Sequence, residues 1–344
     1  MSVDEDFPTL LKRLVEGESL SAEASLSAFG AIMSGQVSET RMGAFLTALT
    51  MREPTVAEIA GAARAMRAAM RSIEAPHGAI DLCGTGGDGH GSLNVSTAAA
   101  FVVAACGVPV AKHGNRNMSS KSGAADVLEA LDVRIDLSPR AAQACLAQTG
   151  LCFLFAPAYH PAMKHVAPVR KELGFRTVFN LLGPICNPAG VRRQLLGVFA
   201  ERWAEPLARV LAELGAEHAW VVHGRDGMDE LSIAAASLVV EVTNGTVRRF
   251  DIAPEDLRLE RAGPDDVKGG DAASNAEALE LLLRGNGIPA YRDIVVLNAA
   301  AALVVSGRAA DLRQGADMAQ TALKDGRAQL KFESLRAATQ RLAA

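Results

Sequence analysis

The stretch "DLCGTGGDGHGSLNVSTAAAFVVAACG", residues Asp81 to Gly107, places five glycines in eight positions, Gly84 to Gly91, between a short apolar run and a long alanine-rich one. A strand, a glycine loop and a helix in this order are typical of a βα unit whose loop holds an anion. Glycine suits such a loop because a residue without Cβ lets backbone N–H groups approach the anion closely and adopts positive φ. The stretch therefore predicts an α/β fold with an anion site after this strand.

Two common nucleotide-binding motifs are excluded by the residues around this loop. Gly84, Gly86 and Gly89 satisfy the GxGxxG pattern of dinucleotide-binding folds. Such a fold needs an acidic residue about 20 positions further on, where it holds the ribose hydroxyls. Lys112 and Arg116 stand in that region instead. A Walker A motif is excluded as well, because no GK[ST] closes the loop.

Two successive anion sites are predicted from the polar segments that follow the first two strands. "NVST", Asn94 to Thr97, begins the alanine-rich helix, whose first N–H groups are unpaired and whose dipole favours negative charge. The next unit, "AKHGNRNMSSKSGAADVLEALD" from Ala111 to Asp132, again places a polar loop before a helix start. Glycines and serines can also serve only turns and caps, but two such loops in successive units indicate a substrate with more than one phosphate. The second loop supplies cations and hydroxyls from Lys112, Arg116, Lys121, Ser119, Ser120 and Ser122.

The N-terminal part of the chain has a different pattern from the rest. From Pro8 to about Ser72, apolar residues recur at spacings of three and four, which predicts a small domain of about four helices. Helix starts are marked by Ser21, by Ser38 and by "TVAE", where Thr55 and Glu58 can form a capping box. After "EAPHGA", short β-branched runs alternate with longer helical stretches, which favours a parallel sheet covered by helices. The segments predicted as strands are Ile80 to Cys83, Val108 to Lys112, Val133 to Asp136, Leu151 to Phe155, Ala219 to His223, Leu238 to Val242 and Thr246 to Phe250.

Composition excludes several classes of protein. In a chain of 344 residues, 35 lysines and arginines against 39 acidic residues give a net charge of −4, so no chain-wide basic field attracts nucleic acid. The five cysteines contain no CxxC pair, which argues against a disulfide framework and a zinc site. The start "MSVDEDFPTL" is acidic, unlike a signal peptide, and the longest apolar run, Ala98 to Ala111, is too short to span a membrane. We therefore expect a cytoplasmic protein with no membrane or nucleic-acid partner.

Seven motifs occur along the chain in one order: "GTGGDG", "NVSTAAA", "AKHGNR", "KSGAADVLEAL", "RTVFNLLGPICNP", "QLLGVF" and "GMDEL". This series resembles that of the anthranilate phosphoribosyltransferases, a family of tryptophan biosynthesis, and the resemblance extends to about Phe332. It implies transfer of the phosphoribosyl group of phosphoribosyl pyrophosphate to the amino group of anthranilate with Mg²⁺, the second step of tryptophan synthesis from chorismate. It also implies a homodimer formed through the helical domain.

The resemblance further implies a fold and a place for the active site. A helical domain, residues 1–73, joined by helices from about 165–185, would stand beside an α/β domain, residues 74–344. The α/β domain would have a mostly parallel central sheet flanked by helices, and the active site would lie in the cleft between the domains.

The family's functional residues map onto matching motifs of this chain. The metal would be reached by Ser96, Asp229 and Glu230, and anthranilate would be held by Gly84, Asn115 and Arg170, with His113 and His160 lining its path. Ser92 and Ala124 depart mildly from the residues usual in the family and put one hydroxyl contact in doubt. Phosphoribosyl pyrophosphate would be held by Gly84, Gly87, Asp88, Ser92, Asn94, Val95, Ser96, Thr97, Lys112, His113, Gly114, Asn115, Arg116, Asn117, Met118, Ser119, Ser120 and Ala124.

Simple chemistry supports several of these roles and leaves others open. Asp229 and Glu230 are expected in a loop, because neighbours in a regular strand would point to opposite faces, although a solvated acidic pair has the same sequence. A guanidinium such as that of Arg170 binds a carboxylate through two parallel hydrogen bonds. The aromatic amine of anthranilate has a free lone pair near neutral pH, so no strong base is needed to start the attack. His113 and His160 can accept a proton afterwards or serve only packing.

Two other readings share this architecture. Pyrimidine nucleoside phosphorylases have a similar glycine loop, but their lysine motif reads KHSGR-like, whereas this chain has "KHGNR" and keeps "GMDEL". DNA-binding relatives without enzyme activity would need a basic face, which the net charge of −4 does not favour.

Overall fold

The computed structural model describes residues 5–116 and 122–343. Within them a single sheet has the strand order β3-β2-β1-β4-β5-β6-β7. The first five strands of that order pair in parallel, whereas β6 and β7 pair antiparallel at one edge. The predicted α/β fold with a mostly parallel sheet is therefore confirmed. The strands are β1 Ile80–Gly84, β2 Val110–Gly114, β3 Leu151–Phe155, β4 Arg193–Gly197, β5 His218–Gly224, β6 Ser237–Thr243 and β7 Thr246–Ile252.

Helices form the N-terminal bundle and cover both faces of the sheet. The helices are α1 Phe7–Val15, α2 Ala22–Met33, α3 Glu39–Arg52, α4 Val56–Ala68, α5 Val95–Ala105, α6 Ala124–Ala130, α7 Pro139–Thr149, α8 Ala156–Tyr159, α9 Ala167–Leu173, α10 Phe179–Ile185, α11 Ala204–Glu213, α12 Ala272–Leu283, α13 Pro289–Val305, α14 Leu312–Lys324 and α15 Arg327–Ala343. None of the helices in the described residues is both long and apolar enough to cross a membrane.

The N-terminal helices begin where the sequence predicts. The hydroxyls of Ser21 and Ser38 accept hydrogen bonds from backbone N–H groups of the first turns of α2 and α3. Thr55 and Glu58 form the predicted capping box at α4. A serine, threonine or aspartate side chain at this position satisfies N–H groups that have no partner within the helix. The bundle of α1 to α4 is thus set by local signals.

The two faces of the sheet belong to two hydrophobic cores. Along β5, Trp220 and Val222 face one core and Ala219 and Val221 face the other, because successive strand residues point to opposite faces. The first core packs α5, α7 and α12 to α15 on the sheet. The second joins α9, α10 and α11 to the N-terminal bundle, with α9 on α3 and with α10 and α11 on α4. The N-terminal bundle therefore reaches the sheet through helices from residues 167–213.

The order of the strands creates a switch point between β1 and β4. From β1 the chain continues to β2 and β3 on one side, and then returns to place β4 on the other side of β1. The connections before and after this point diverge, so a crevice opens outside the carboxyl ends of the two strands, where ligands of such sheets bind. Those ends are Gly84 and Gly197, which lie opposite each other in the pairing register.

Two strand assignments from the sequence differ from the structure. The predicted strand from Val133 to Asp136 is wrong: the segment has alternating burial but belongs to no strand. The N–H of Arg134 donates to the hydroxyl of Thr339 on α15. The central strand β4, Arg193–Gly197, was not predicted. Its sequence "RQLLG" contains no β-branched residue, so its strand state depends on pairing with β1 and β5.

Candidate active site

The glycine loop follows β1 at the switch point. Gly87 has a φ of +79°, and the same sign occurs at three more glycines of the loop, which confirms the expected left-handed conformations. A Cβ on Gly87 would lie 2.9 Å from Nη2 of Arg176. Arg176 donates to the carbonyl oxygen of Gly87 and its Cζ lies 4.2 Å from the ring centroid of Phe199. The segment between α9 and α10 therefore touches the loop directly.

Asp229 lies across the switch point, above the ends of β1 and β4. A Cβ on Gly84 would come within 2.4 Å of Oδ2 of Asp229, and a Cβ on Gly197 within 1.5 Å of its carbonyl oxygen. The N–H of Gly86 donates to Oδ2 of Asp229 at 2.7 Å. Both strand ends must be glycine because the loop after β5 rests on them.

Three carboxylates converge at this point. Asp229 and Glu230 lie in the loop between β5 and β6, as predicted, and the N–H of Asp229 donates to Oδ2 of Asp88 at 3.3 Å. Burial raises the pKa of Asp229 well above its usual range, and the charges of Asp88 and Glu230 add to this effect. Burial also raises the pKa of Glu230, against the opposing effects of Lys112 and Ser96. Glu230 is buried and Asp229 is half-buried, so the two carboxylates are not both exposed to solvent.

The carboxylates have the chemistry of ligands for a divalent cation, but within residues 5–116 and 122–343 no three histidine, cysteine or carboxylate side chains already stand in a metal-binding arrangement. Carboxylate oxygens are the ligands that Mg²⁺ prefers in proteins. Buried carboxylates that raise each other's pKa are stabilised as anions when a cation lies between them. Asp88 in the glycine loop and Asp229 and Glu230 in the loop after β5 offer such oxygens. Ser96 lies beside Glu230, because its N–H donates to Oε1 of Glu230 at 3.2 Å.

A buried ammonium group lies on the other side of Ser96. Lys112, on β2, is 4% exposed, and its Nζ donates to the carbonyl of Leu82 at 2.6 Å and to Oγ of Ser96 at 3.2 Å. It forms no direct ion pair within the described residues, although the charges of Asp81 and Glu230 act on it. Lys112 and the beginning of α5 thus place positive charge and N–H groups beside the three carboxylates, where the first anion site is predicted.

The second predicted anion loop is only partly described. Asn115 and Arg116 follow β2 and are exposed, and Arg116 pairs with Asp126 and Glu129 of α6. The guanidinium of Arg116 is therefore paired with carboxylates of α6 in this structure. Ala124 begins α6 beside Gly114, where an added Cβ would lie 3.6 Å from the Cβ of Ala124. The predicted ligands Asn117, Met118, Ser119 and Ser120, together with Lys121, lie outside the described residues.

Two predicted histidines face each other beneath the site. The rings of His113 and His160 have centroids 5.2 Å apart, and both side chains are buried. Burial lowers the pKa of His113 to about 3 and that of His160 to about 4. Both imidazoles are therefore neutral at pH 7. The backbone N–H of His113 donates to the buried carboxylate of Asp81 at 3.0 Å, which fixes the end of β2.

Arg170 is a half-buried cation on α9. Its Cζ lies 5.6 Å from the ring centroid of Phe179, and burial lowers its pKa. No carboxylate or carbonyl group among residues 5–116 and 122–343 accepts a hydrogen bond from its guanidinium. Since a desolvated charge is costly when it has no partner, Arg170 is a suitable site for an anionic group of a ligand. Within the part of the chain that the structure describes, no hydrogen bond or ion pair joins Arg170 to the glycine loop.

Comparison with known proteins identifies the family. Residues 77–329 match the model of the glycosyl transferase family a/b domain, and residues 8–70 match that of the helical bundle domain. The anthranilate phosphoribosyltransferase of Azorhizobium caulinodans is 54% identical over 339 residues, covering 98% of both chains. That of Rhodopseudomonas palustris strain BisB18 is 54% identical and covers 96% of this chain and 97% of the relative. The chain belongs to the anthranilate phosphoribosyltransferase family.

Solved structures of this family share the fold. The enzyme of Thermus thermophilus superimposes with a TM-score of 0.92 at 43% identity, covering 96% of this chain and 99% of that one. The Saccharomyces cerevisiae enzyme, solved in complex with PRPP and Mg, superimposes with a TM-score of 0.88 at 28% identity, covering 97% and 98%. This chain is thus a family member along almost its whole length, which confirms the resemblance and the fold class.

Sequence reasoning missed several residues that distant parts of the chain bring to this site. The carbonyl of Gly197 accepts from the N–H of Thr85 in the glycine loop at 2.9 Å. Arg176 donates to Gly87 of the same loop, and Asn275 donates to Asn94 at the start of α5. The only local signal for Gly197 is its position within "QLLGVF". Asn275 follows the two adjacent glycines of "KGGDAASNA". Such glycines suggest that another backbone segment approaches closely, but they do not indicate which residue Asn275 contacts.

Proposed function

We propose that this chain transfers the phosphoribosyl group of phosphoribosyl pyrophosphate to the amino group of anthranilate and releases pyrophosphate, and that it does so with Mg²⁺ in tryptophan biosynthesis. The observation that carries the proposal is the convergence of the glycine loop, Lys112 and the three carboxylates at the switch point of the sheet. Similarity to anthranilate phosphoribosyltransferases over almost the full length of the chain supports it.

The donor would be bound at the ends of β1 and β2. N–H groups of the glycine loop and of the start of α5 would face the diphosphate there, with those of Gly86 and Ser96 now donating to Asp229 and Glu230. Lys112 supplies the buried positive charge. Such groups stabilise the charge that develops on the departing diphosphate oxygens. The remaining donor contacts assigned by family resemblance come from Gly84, Gly87, Asp88, Ser92, Asn94, Val95, Ser96, Thr97, His113, Gly114, Asn115, Arg116, Asn117, Met118, Ser119, Ser120 and Ala124.

Asp229, Glu230 and Ser96 would hold the metal, with Asp88 beside them. When bound, Mg²⁺ supplies positive charge that neutralises the diphosphate leaving group. Without a cation, the mutual repulsion of the carboxylates and their burial favour protonation of Asp229. Gly84 and Gly197 position this loop by leaving room for Asp229.

The acceptor would be held by Arg170, Gly84 and Asn115. The guanidinium of Arg170 binds the carboxylate of anthranilate and orients its neutral amine toward C1 of the ribose. The C1–N bond forms as the C1–O bond to pyrophosphate breaks, and the positive charge that develops on the ribose passes to the nitrogen. The nitrogen then loses its proton to solvent or to the released anion. His113 and His160 line the path as neutral rings, because their pKa values of about 3 and about 4 make them weak bases.

Assembly, location and domain boundaries follow from the family resemblance. The family resemblance implies a homodimer formed through the helical bundle, where Met51 is 84% exposed and Val15 is 70% exposed. The division into residues 1–73 and 74–344 and the cytoplasmic location stay predictions. A molar mass measured by light scattering that equals one chain of 36.0 kDa would contradict the dimer.

The test of the function is direct. Purified protein mixed with Mg²⁺, anthranilate and phosphoribosyl pyrophosphate should cause the fluorescence of anthranilate to fall, and omission of Mg²⁺ should stop the decay. A folded sample that consumes no anthranilate would overturn the proposal. Phosphorolysis of a pyrimidine nucleoside, or salt-sensitive retention of DNA, would instead favour one of the two related classes.

A further inference from the structure

The amide of Asn94 lies between the predicted donor site and a C-terminal segment that holds the glycine loop. Residues 267–270 run antiparallel to residues 91–93: the N–H of Leu93 donates to the carbonyl of Val267 at 2.8 Å, and the N–H of Gly269 donates to the carbonyl of Gly91 at 2.8 Å. Ser92 and Lys268 form the bridge between them. A Cβ on Gly269 would lie 2.8 Å from the carbonyl oxygen of Ser92, so the segment approaches the loop as closely as backbone permits.

The orientation of Asn275 follows from a backbone group that can only donate. Asn275, in the first turn of α12, is 2% exposed. The N–H of Gly270 donates to its Oδ1 at 2.7 Å, so the amide oxygen must face Gly270. Its amide nitrogen therefore faces Asn94 and donates to Oδ1 of Asn94 at 3.0 Å.

This bond in turn fixes the amide of Asn94. Asn94 precedes α5, yet its side chain does not cap the helix, because Glu230 accepts the hydrogen bond from Ser96 in that first turn. Its Oδ1 is occupied by Asn275, and its carbonyl accepts a bond from the hydroxyl of Tyr291 at 3.3 Å. Its Nδ2 has no acceptor among residues 5–116 and 122–343.

We infer that Asn275 is a positioning residue that turns the amide nitrogen of Asn94, and not its oxygen, toward the phosphoribosyl donor. The inference rests on the proposed function and adds to it a residue about 180 positions away from the loop. An amide N–H₂ donates to a phosphate oxygen, which can only accept, whereas an amide oxygen in the same place repels that phosphate oxygen. Asn275 thus ensures that Asn94 presents a hydrogen-bond donor to the phosphoribosyl donor, although neither side chain is charged.

The test reverses that polarity without changing the size of the side chain. In Asn275→Asp, one carboxylate oxygen still accepts from Gly270, but the other now accepts from Asn94, whose amide must rotate and present its oxygen to the donor. We expect the KM for phosphoribosyl pyrophosphate to rise about tenfold or more, since a bond to a charged group is replaced by a repulsive contact. The KM for anthranilate should stay within about twofold. Asn275→Ala leaves Asn94 free to adopt either orientation, so its effect should be smaller.

Two further variants show whether the effect of Asn275→Asp comes from the reversed amide of Asn94, from lost packing or from added negative charge. Ser274→Asp places a carboxylate one residue away on the exposed side of α12 and should leave the KM for the donor nearly unchanged. If the KM for the donor rose as much in Ser274→Asp as in Asn275→Asp, the added negative charge would explain the effect. That result would overturn the inference. If the KM for the donor rose as much in Asn275→Ala as in Asn275→Asp, Asn275 would have only a packing role. That result would overturn the inference as well.

A binding measurement keeps this inference separate from the proposed reaction. The dissociation constant of inorganic pyrophosphate with Mg²⁺, measured by calorimetry, should follow the same order among the variants even if wild-type protein consumes no anthranilate. If Asn275→Asp does not fold, Asn94→Asp makes the same reversal at the loop and should weaken pyrophosphate binding to a similar extent. Unchanged binding in Asn94→Asp, or no pyrophosphate binding by the wild type, would show that Asn94 faces no anion.

Discussion

At Gly197 the absence of a side chain is a steric requirement. A Cβ there would lie 1.5 Å from the carbonyl oxygen of Asp229, and that atom is backbone that cannot turn away. Gly197→Ala should therefore displace the loop that carries Asp229 and Glu230. Since a shift of about 1 Å can cost a hundredfold, we expect kcat/KM to fall about a hundredfold and the Mg²⁺ concentration for half-maximal rate to rise. Steady-state kinetics over a Mg²⁺ titration measures both.

Gly30→Ala is the matched control for that substitution. Gly30 lies within α2 and would have no heavy atom within 4 Å of a new Cβ, and alanine favours a helix over glycine. Its kinetics should equal those of the wild type. If both variants lost activity equally, the steric argument for Gly197 would fail.

Arg170 is predicted to discriminate between the two substrates. Its guanidinium has no anionic partner in the described structure and stacks on Phe179. Loss of a charge-assisted hydrogen bond costs about 1.5–3 kcal/mol, so Arg170→Ala should raise the KM for anthranilate about tenfold to a hundredfold. The KM for the donor should change far less.

Lys171→Ala provides the comparison, because Lys171 is an exposed charge next to Arg170 on α9. Its two KM values should stay near those of the wild type. Equal changes of both KM values in Arg170→Ala would remove Arg170 from the acceptor site.

At the scale of elements, the start of α4 is held by more than its capping box. The carboxylate of Glu58 accepts from the N–H groups of Leu20 and Thr55 and pairs with Arg52. Burial acts to raise the pKa of Glu58, but the bond to Arg52 and the two N–H groups outweigh it, so the pKa is lowered. The cap thus joins α4 to the segment before α2 and to the end of α3.

This arrangement predicts a pH-dependent contribution of Glu58 to stability. Glu58→Gln should lower the free energy of unfolding by about 2 kcal/mol at pH 7. A lowered pKa in the folded state means that the contribution is present above the pKa of the unfolded chain, about 4.3, and is lost as the pH falls through the folded value. Urea unfolding at pH 7, 5 and 4 should therefore show the difference from wild type shrinking below about pH 4.3.

The surface ion pair of Arg64 and Glu213 tests whether the loss of stability in Glu58→Gln depends on the burial of Glu58. Both side chains are more than 40% exposed and their atoms lie 3.8 Å apart, so Glu213→Gln should cost less than about 1 kcal/mol. A constant difference between wild type and Glu58→Gln across this pH range would contradict the assigned pKa shift.

At the scale of the whole molecule, the site is built from both cores. Arg170 and Phe179 lie on helices that pack with the N-terminal bundle, whereas the start of α5 lies on the other side of the sheet. Arg176 connects the α9–α10 segment to the glycine loop through Gly87 and Phe199. The groups predicted to bind the acceptor and those predicted to bind the donor pack in different hydrophobic cores. We therefore expect binding of both substrates to bring these two parts of the protein closer together.

Small-angle scattering measures this closure. The radius of gyration should decrease when Mg²⁺ and pyrophosphate are present together with anthranilate, and it should change less with either ligand alone. Bovine serum albumin under the same conditions controls for buffer effects. A radius of gyration that stays constant in the presence of all ligands would contradict hinge closure.

Local signals explain what could be predicted from the sequence. The caps at Ser21, Ser38 and Thr55, the strands β1, β3, β5, β6 and β7, and the glycine loop depend on residues close together in the chain. The acidic pair was placed in the right loop for the same reason. Val133 to Asp136 shows the limit of this approach: Val133 and Ile135 alternate with exposed residues because they enter the first core, and Arg134 bonds Thr339 of α15, but the segment pairs with no strand.

Patterns in the sequence are sufficient to predict the α/β class, the helical bundle and the glycine loop after β1 and, through the motif series, the family. The tertiary structure alone decided that β4 lies beside β1, that Gly84 and Gly197 support Asp229, that Arg116 turns to Asp126 and Glu129, and that Asn275 orients Asn94. The physical reason is the range of the interactions. Caps, turns and periodicity act between residues a few positions apart, whereas the site depends on strand order and on contacts between segments that are far apart in the chain.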